Sequence, residues 1–424
     1  MKHRALPLVL SLLASTAMAQ DLPTPFPGSA APPEPAPPTA PPEPAPPTAP
    51  PEPMPVAAPL PLPIEPAPPS LAPPGPPAMI RPFGYVRTLF SMIADDGKNT
   101  DFVGQYDGFQ MANARLGVEV TKNHTRAVIS VDGAVDRRDD LNTSQGTVEV
   151  RLRDAFAEWK PCTGFKATAG QFEVPFDAEE LTSNTDLVFV DQGVESRGVR
   201  GVEGYNVDGL SLDREVGLLL SSDPIYFMPD GFGLTYALAI TNGSSAAHPL
   251  NDNESLAYTG RLELLWAKMF AIGVAANLNK VSSGLPPDRL TEDQFSLAAD
   301  LRADLYGAHF LGQFMRREST PKDVPSEPDV VGQGFHVQIA YDAPFGLTPG
   351  YRYGQFDPTA DVQVEDPVSA ERLDQDEVKV HTLGLSWAVP EEPLTIKVNY
   401  HVILEDDARK LANNRLDLLF QGVF

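Results

Sequence analysis

The sequence predicts an all-β chain: a 16-stranded antiparallel transmembrane β-barrel, preceded by a signal peptide and a proline-rich disordered N-terminal arm. Three observations carry this. From about Phe83 to Phe424, apolar and polar residues alternate with period two in segment after segment, the mark of strands with one apolar face. The connections between these segments alternate between tight and long, as the two loop classes of outer-membrane barrels do. After the N-terminus no run of about twenty apolar residues occurs, which excludes a helical membrane protein. A strand-built one is compatible with the ordinary hydrophobic content of 42%, because its apolar residues are interleaved with polar ones.

Residues 1–19 read as a signal peptide. A basic start (Lys2, His3, Arg4) precedes an apolar run from Leu6 to Leu13 and the small-residue site Ala17-Met18-Ala19, the n-region, h-region and cleavage site of an export signal. No cysteine follows the site, so a lipid anchor is not expected. Residues 20–79 form a proline-rich arm in which the unit APPEPAPPT occurs at Ala31–Thr39 and again at Ala40–Thr48. Proline fixes φ and removes the amide donor, which forbids helix and sheet. Extended polyproline II is expected, with a reach of at most roughly 180 Å at ~3.1 Å per residue. Its charges before Arg81 are acidic (Asp21, Glu34, Glu43, Glu52, Glu65), so polybasic attraction to anionic lipid cannot hold it. It is a spacer, or a tether whose partner, periplasmic or cell-wall, offers an aromatic-lined groove of the kind that binds PxxP segments.

Residues 80–424 are the barrel. Leu394, Ile396, Val398, Tyr400, Val402 and Leu404 share one face, with Lys397, Asn399 and His401 opposite; Phe295, Leu297, Ala299 and Leu301 oppose Ser296, Asp300 and Arg302. Sixteen such segments run from 83–92 to 413–424, an even number, as bacterial barrels require. Tight connections follow even strands (Lys122-Asn123, Pro161 to Gly164, Ala343 to Phe345, Pro390 to Pro393), and long polar ones follow odd strands. This parity places the arm and the C-terminus in the periplasm. Trp159, Trp266 and Trp387 all fall at tight-turn ends, where an aromatic girdle would sit. The last strand ends on Phe424, an aromatic placed to close the barrel. Three places resist the pattern. Asp154 falls on the outward face of Val150, Leu152 and Phe156, which demands a partner or a bulge. The first strand fits either phase. The junctions near 268 and 305 lack a strong turn signal.

The net charge of -25 argues against nucleic acid, which needs clustered Lys and Arg. The single cysteine, Cys162, rules out an internal disulfide and reads as a buried or turn thiol. The histidines are scattered, with neither a G-x-S-x-G nor an H-E-x-x-H motif. No enzyme activity, metal site or cofactor is expected. Acidic external loops (Asp95-Asp96, Asp136 to Asp140, Asp361 to Glu377, Glu405 to Asp407) read as solubilising.

One stretch breaks the alternation for about forty residues, Val174 to Asp213; a loop of that length in a packed domain is usually functional. It opens in the block GQFEVPFDAEELTSNTDLVF at Gly170–Phe189, preceded by Arg153-Asp154-Ala155-Phe156 and followed by Arg214-Glu215-Val216-Gly217. This block resembles the phosphate-selective porin O and P family. The resemblance implies that residues 174–213 are the third external loop, folded inward as a constriction. It implies a homotrimeric outer-membrane porin that passes small hydrophilic solutes and ions by passive diffusion, with phosphate or other anions among them. Lipid and lipopolysaccharide of a Gram-negative outer membrane would surround it. An alternative role is structural, a barrel tethering the envelope through its arm. Candidate pore-lining and constriction residues are Arg115, Arg126, Arg151, Arg153, Arg261, Arg302 and Arg352 on the wall, with Asp177, Glu179 and Glu180 on the loop. An acidic loop opposite a basic wall would set a transverse field. The inward-facing charges of the strands nearly balance in sign, so a phosphate site is not read from the residues themselves.

Overall fold

The computed structural model describes residues 77–94, 107–135, 148–200, 203, 207–228, 231–244, 250–251, 253–283, 289–322, 329–361, 376–405 and 413–424. The signal peptide, nearly all of the arm and most of the acidic external-loop residues lie outside the described residues.

The strands are β1 (Met79–Ile93), β2 (Gly108–Lys122), β3 (Thr125–Val135), β4 (Val148–Cys162), β5 (Phe165–Glu173), β6 (Arg214–Ser221), β7 (Ile225–Tyr226), β8 (Phe232–Thr241), β9 (Ala257–Trp266), β10 (Phe270–Ser283), β11 (Leu290–Leu305), β12 (Ala308–Pro321), β13 (Val330–Tyr341), β14 (Leu347–Asp357), β15 (Val378–Ala388), β16 (Leu394–Glu405) and β17 (Arg415–Val423). Apart from β6 and β7, each pairs antiparallel with its sequence neighbours, and β1 pairs with both β2 and β17, which closes the sheet. The two-residue β7 continues the line of β6, and both pair with β8. The barrel therefore has sixteen staves, as expected. Phe424 completes the seam. Its amide donates to the Gly84 carbonyl at 2.9 Å, and the Gly84 amide donates back at 3.0 Å. Its ring fills the space that a Cβ at Gly84 would occupy.

Alternation sets the two faces. On β9, Leu262, Leu264 and Trp266 point outward and are exposed, while Thr259 and Arg261 point inward and are buried. Tyr400 and Leu404 on β16 are exposed, and Lys397, Asn399 and His401 are buried. On β1 the ambiguous phase resolves with Tyr85, Arg87, Leu89 and Ser91 inward. All three tryptophans are outward at the tight-turn ends. Trp266 stacks between Phe232 and Phe270, Trp159 meets Phe165 edge-on, and Trp387 donates to the Phe345 carbonyl. Cys162 is an exposed free thiol at the end of β4, the turn position rather than a buried one. No helix among the described residues is long and apolar enough to cross a membrane.

The expectation for Asp154 is corrected. The β3–β4 register shifts between Ser130 and Val131, so that Val131 opposes Leu152, Ser130 opposes Asp154, and Arg153 is the extra residue. A bulge of one residue reverses the phase of everything beyond it. Asp154 turns inward, where it bonds Ser130 Oγ at 2.7 Å and Arg214 Nε at 2.9 Å. Phe156 follows it inward, beneath the Arg126 guanidinium. The same shift places Trp159 on the outside, where unbroken alternation would have buried it. The two unmarked junctions are tight hairpins with left-handed backbone: Ala267 and Lys268 have φ of 51° and 56°, and Tyr306 and Gly307 have φ of 50° and 85°. Positive φ at both central residues matches the twist of the flanking strands.

Candidate functional site

The described residues of the segment 174–213 fold back into the barrel. The loop closes at its root, where the Val174 amide donates to the Asp213 carbonyl at 3.0 Å. Asp177 starts a helical turn by accepting the amides of Glu179 (2.8 Å) and Glu180 (3.2 Å), the local bonding that suits Asp to turn starts. A short helix, Val194–Arg197, ends at Gly198 (φ 79°), where an added Cβ would strike the Val207 carbonyl. Phe176, Val194, Val199 and Leu210 pack on inward-facing Ala275, Ala298, Met315, Phe356, Val378 and Ile403. Burying one such phenylalanine stabilises the docked loop by about 1.5–3 kcal/mol. Phe189 lies against β14 and β15, where a Cβ at Gly384 would come within 2.7 Å of its ring. Glycine there is what lets the loop approach the wall.

Polar contacts run around the lumen. Arg352 on β14 donates to Glu179 Oε1 at 2.9 Å and to the Asp191 and Gln192 carbonyls, with its guanidinium 4.6 Å from the centre of the Phe189 ring. His336 on β13 bonds Glu195 through Nδ1. Lys397 on β16 donates to the Leu187 carbonyl, Gln421 on β17 to that of Thr185, and Arg87 on β1 to that of Val190. Gln313 on β12 bonds the Ala178 amide and Ser196 Oγ. Across the barrel, Arg153 reaches Glu180 at 3.0 Å and Asp213 at 2.8 Å.

The candidate residues divide into two sets. Arg352, Glu179, Asp177 and Arg261, which donates to the Phe176 carbonyl and to Asp300, are buried in the contact between loop and wall. Arg115, Arg126, Arg151, Arg153 and Glu180 lie on the opposite side, on β2–β4 and the loop edge that faces them. There Arg115 bridges Asp132 (3.4 Å) and Asp154 (3.8 Å), and Arg126 bridges Glu119 (3.0 Å) and Glu158 (4.0 Å). Arg151 is exposed, with Asp132 as its cross-strand neighbour. Arg302 belongs to neither set and pairs with Glu263 on β9. Sequence reasoning placed Lys397 on the inward face but did not single out His336, Gln313 or the loop's own pairs, Arg197 with Glu203 and Arg200 with Asp191. The available signal was polar residues at inward positions beside glycines such as Gly384, where a wall makes room for a second layer.

The transverse field expected from an open acidic loop is largely consumed in direct pairing. Burial pushes the Asp177 carboxyl up to about 6, and Glu179 and Glu180 push it the same way. Burial also opposes ionisation of Glu203, yet Arg197 outweighs it and holds this carboxyl at about 2. Arg200 and Arg197 likewise overcome burial at Asp191 and keep it well below the usual range.

Residues 91–261 match the family model described as Phosphate-selective porin O and P. The span contains the Gly170–Phe189 block and the whole inward loop. No curated protein matches the chain. Among solved structures, the chain is similar to an anion-selective porin from Comamonas acidovorans, with 13% identity, TM-score 0.53, and 82% of this chain and 100% of that chain covered. It is similar to the outer membrane channel DcaP of Acinetobacter baumannii, with 14% identity, TM-score 0.52, and coverage of 82% and 97%. It is also similar to the trimer form of the Vibrio cholerae outer membrane protein OmpT, with 10% identity, TM-score 0.51, and coverage of 82% and 99%. At these identities the likeness shows the fold, a closed antiparallel barrel.

Proposed function

We propose that the chain is an outer-membrane porin that passes small hydrophilic solutes and ions by passive diffusion. The observation that carries this reading is the loop of residues 174–213, fixed to one wall of a closed barrel while charged side chains on the opposite wall keep contact with solvent. The family match and the porin fold support it. Selection is steric and electrostatic at the constriction, with no covalent step. The candidate residues on β2–β4 and Glu180 line the passage; Asp177, Glu179, Arg261 and Arg352 hold the constricting loop in place, and Arg302 stands at the tight-turn mouth. The apolar outer face and its tryptophan belt suit lipid, with lipopolysaccharide on the outer side. A homotrimer is supported by the trimer form of one structural neighbour. The proline-rich arm is a periplasmic spacer, or a tether to a periplasmic or cell-wall partner. The matched family's description points to phosphate as a solute, and that turns on the sign of the charge along the passage.

Single-channel recording in planar bilayers tests the proposal. Discrete ohmic openings from folded protein are expected, and their absence would refute it. Deleting residues 21–78 separates the tethering role: conductance should survive, and envelope detachment would make tethering the arm's function.

A further inference from the structure

We infer that the contact between Glu195 and His336 is a pH-sensitive latch on the constricting loop; this rests on the porin reading above. The pair holds the short helix Val194–Arg197 on β13 while it shares one proton, and lets go when that proton leaves. Glu195 and His336 are both at 0% exposure. His336 Nδ1 bonds Glu195 Oε1. The other ring nitrogen, Nε2, and the other carboxylate oxygen, Oε2, are buried with no hydrogen-bond partner among the described residues. Gly334 on the same strand makes the close approach possible, since a Cβ there would stand 2.5 Å from Glu195 Cβ.

The surroundings leave this pair to itself. On β14, Arg352 is directed at Glu179 (2.9 Å) and at the Asp191 and Gln192 carbonyls. On β12, Gln313, the cross-strand neighbour of His336, bonds the Ala178 amide and Ser196 Oγ. The neighbour on β14 is Gly354, which has no side chain. From the loop, Glu179 lies 4.0 Å from His336 Nδ1, and the nearby Asp177 interacts with both Glu179 and Glu195. His336 is therefore the one ion-pair partner of Glu195 among the described residues.

Loss of the shared proton leaves a negative charge in a dry contact beside two further carboxylates. An uncompensated buried charge is strongly destabilising, and lifting Glu195 into solvent relieves it. Imidazole is the side chain whose charge changes near neutral pH. The loop's other ionic anchor has no such group. There Asp191 and Glu203 meet Arg197, Arg200 and Arg415, and arginine keeps its charge throughout. Asp191 and Glu203 flank the helix in sequence, so release is confined to the helix while the loop stays tethered on both sides of it.

The test uses the full-length protein between pH 7 and pH 9, above the Asp177 carboxyl at about 6. Hydrogen exchange at amides 193–199, corrected for intrinsic rates, should quicken by about tenfold, the change that a one-unit difference in pKa between docked and released loop produces. Single-channel current noise should rise over the same range. Glu195→Gln keeps the shape and removes the charge, so exchange should stay slow and current quiet at pH 9. His336→Gln should give fast exchange and noise already at pH 7, and His336→Gln/Glu195→Gln should restore slow exchange at both pH values. Wild-type exchange that does not respond to pH would overturn the latch, as would a pH response that survives Glu195→Gln. Exchange is read whether or not the channels conduct, so silent bilayers would refute the porin reading while the exchange data still decide the latch.

Discussion

The two sides of the lumen use the same residue types to opposite ends. Under the loop, on β12–β17 and β1, arginine, lysine, histidine and glutamine are buried and spend their donors on loop carbonyls and carboxylates. On β2–β4, arginines pair with carboxylates of neighbouring strands and stay in contact with solvent. The difference teaches that inward polarity in a barrel has two meanings. It glues a second layer where an apolar cluster and glycines receive that layer, and it faces water where they are missing.

The largest separation between the sides should come from Arg352→Met. It leaves Glu179 buried without its cation, a loss of about 3–5 kcal/mol for a broken buried pair. Loop docking should weaken, seen as larger, noisier single-channel current and faster hydrogen exchange over residues 176–192. Unchanged current and exchange would place the loop's anchorage elsewhere. Gly384→Ala should cost less, about 1–3 kcal/mol from overpacking, because its Cβ would meet the Phe189 ring at 2.7 Å. A lower melting temperature with similar current noise at 25 °C is the expected pattern.

A smaller effect follows from pH. The Asp177 carboxyl is raised to about 6 in the folded loop by burial first and then by Glu179 and Glu180. A raised group favours docking below its ordinary value and loses that contribution as pH rises through about 6. Current noise should therefore grow between pH 5 and pH 7, and Asp177→Asn should flatten the trend. Glu203, depressed to about 2, contributes at every pH above the ordinary carboxylate range and stays silent over that window. Smallest of all, Arg126→Gln on the open side should change stability by only about 0–1 kcal/mol, the usual worth of an exposed pair. Its effect should appear in selectivity alone, as a shift towards potassium. A large loss of stability there would mean that this side is packed as well.

Much of the barrel was legible in the sequence because each strand writes its own two faces. Trp266 and Trp387 marked the tight-turn end. The bulge at Arg153 was not legible. One extra residue leaves no mark of its own, only the misplaced Asp154, which showed that something had to give. The turn at Ala267 and Lys268 escaped because neither residue is the Gly or Asn that usually adopts positive φ. At the site, acidic residues from Asp177 to Glu180 announced a charged loop, but pairing across the lumen, such as Glu195 with His336, spans more than a hundred residues. No local pattern encodes such a distance. The apolar residues Phe176, Phe189 and Val194 were the local hint that this loop carries a packed underside.

The central claim, that solutes pass between the loop and β2–β4, is tested most directly by thiol accessibility in a Cys162→Ser background. Glu119→Cys and Thr382→Cys place one thiol on each side; Thr382 lies on β15 beneath the loop and is 1% exposed. A charged, membrane-impermeant thiol reagent should modify the first and reduce its single-channel current while leaving the second untouched. Current block at position 382 with none at position 119 would contradict the account.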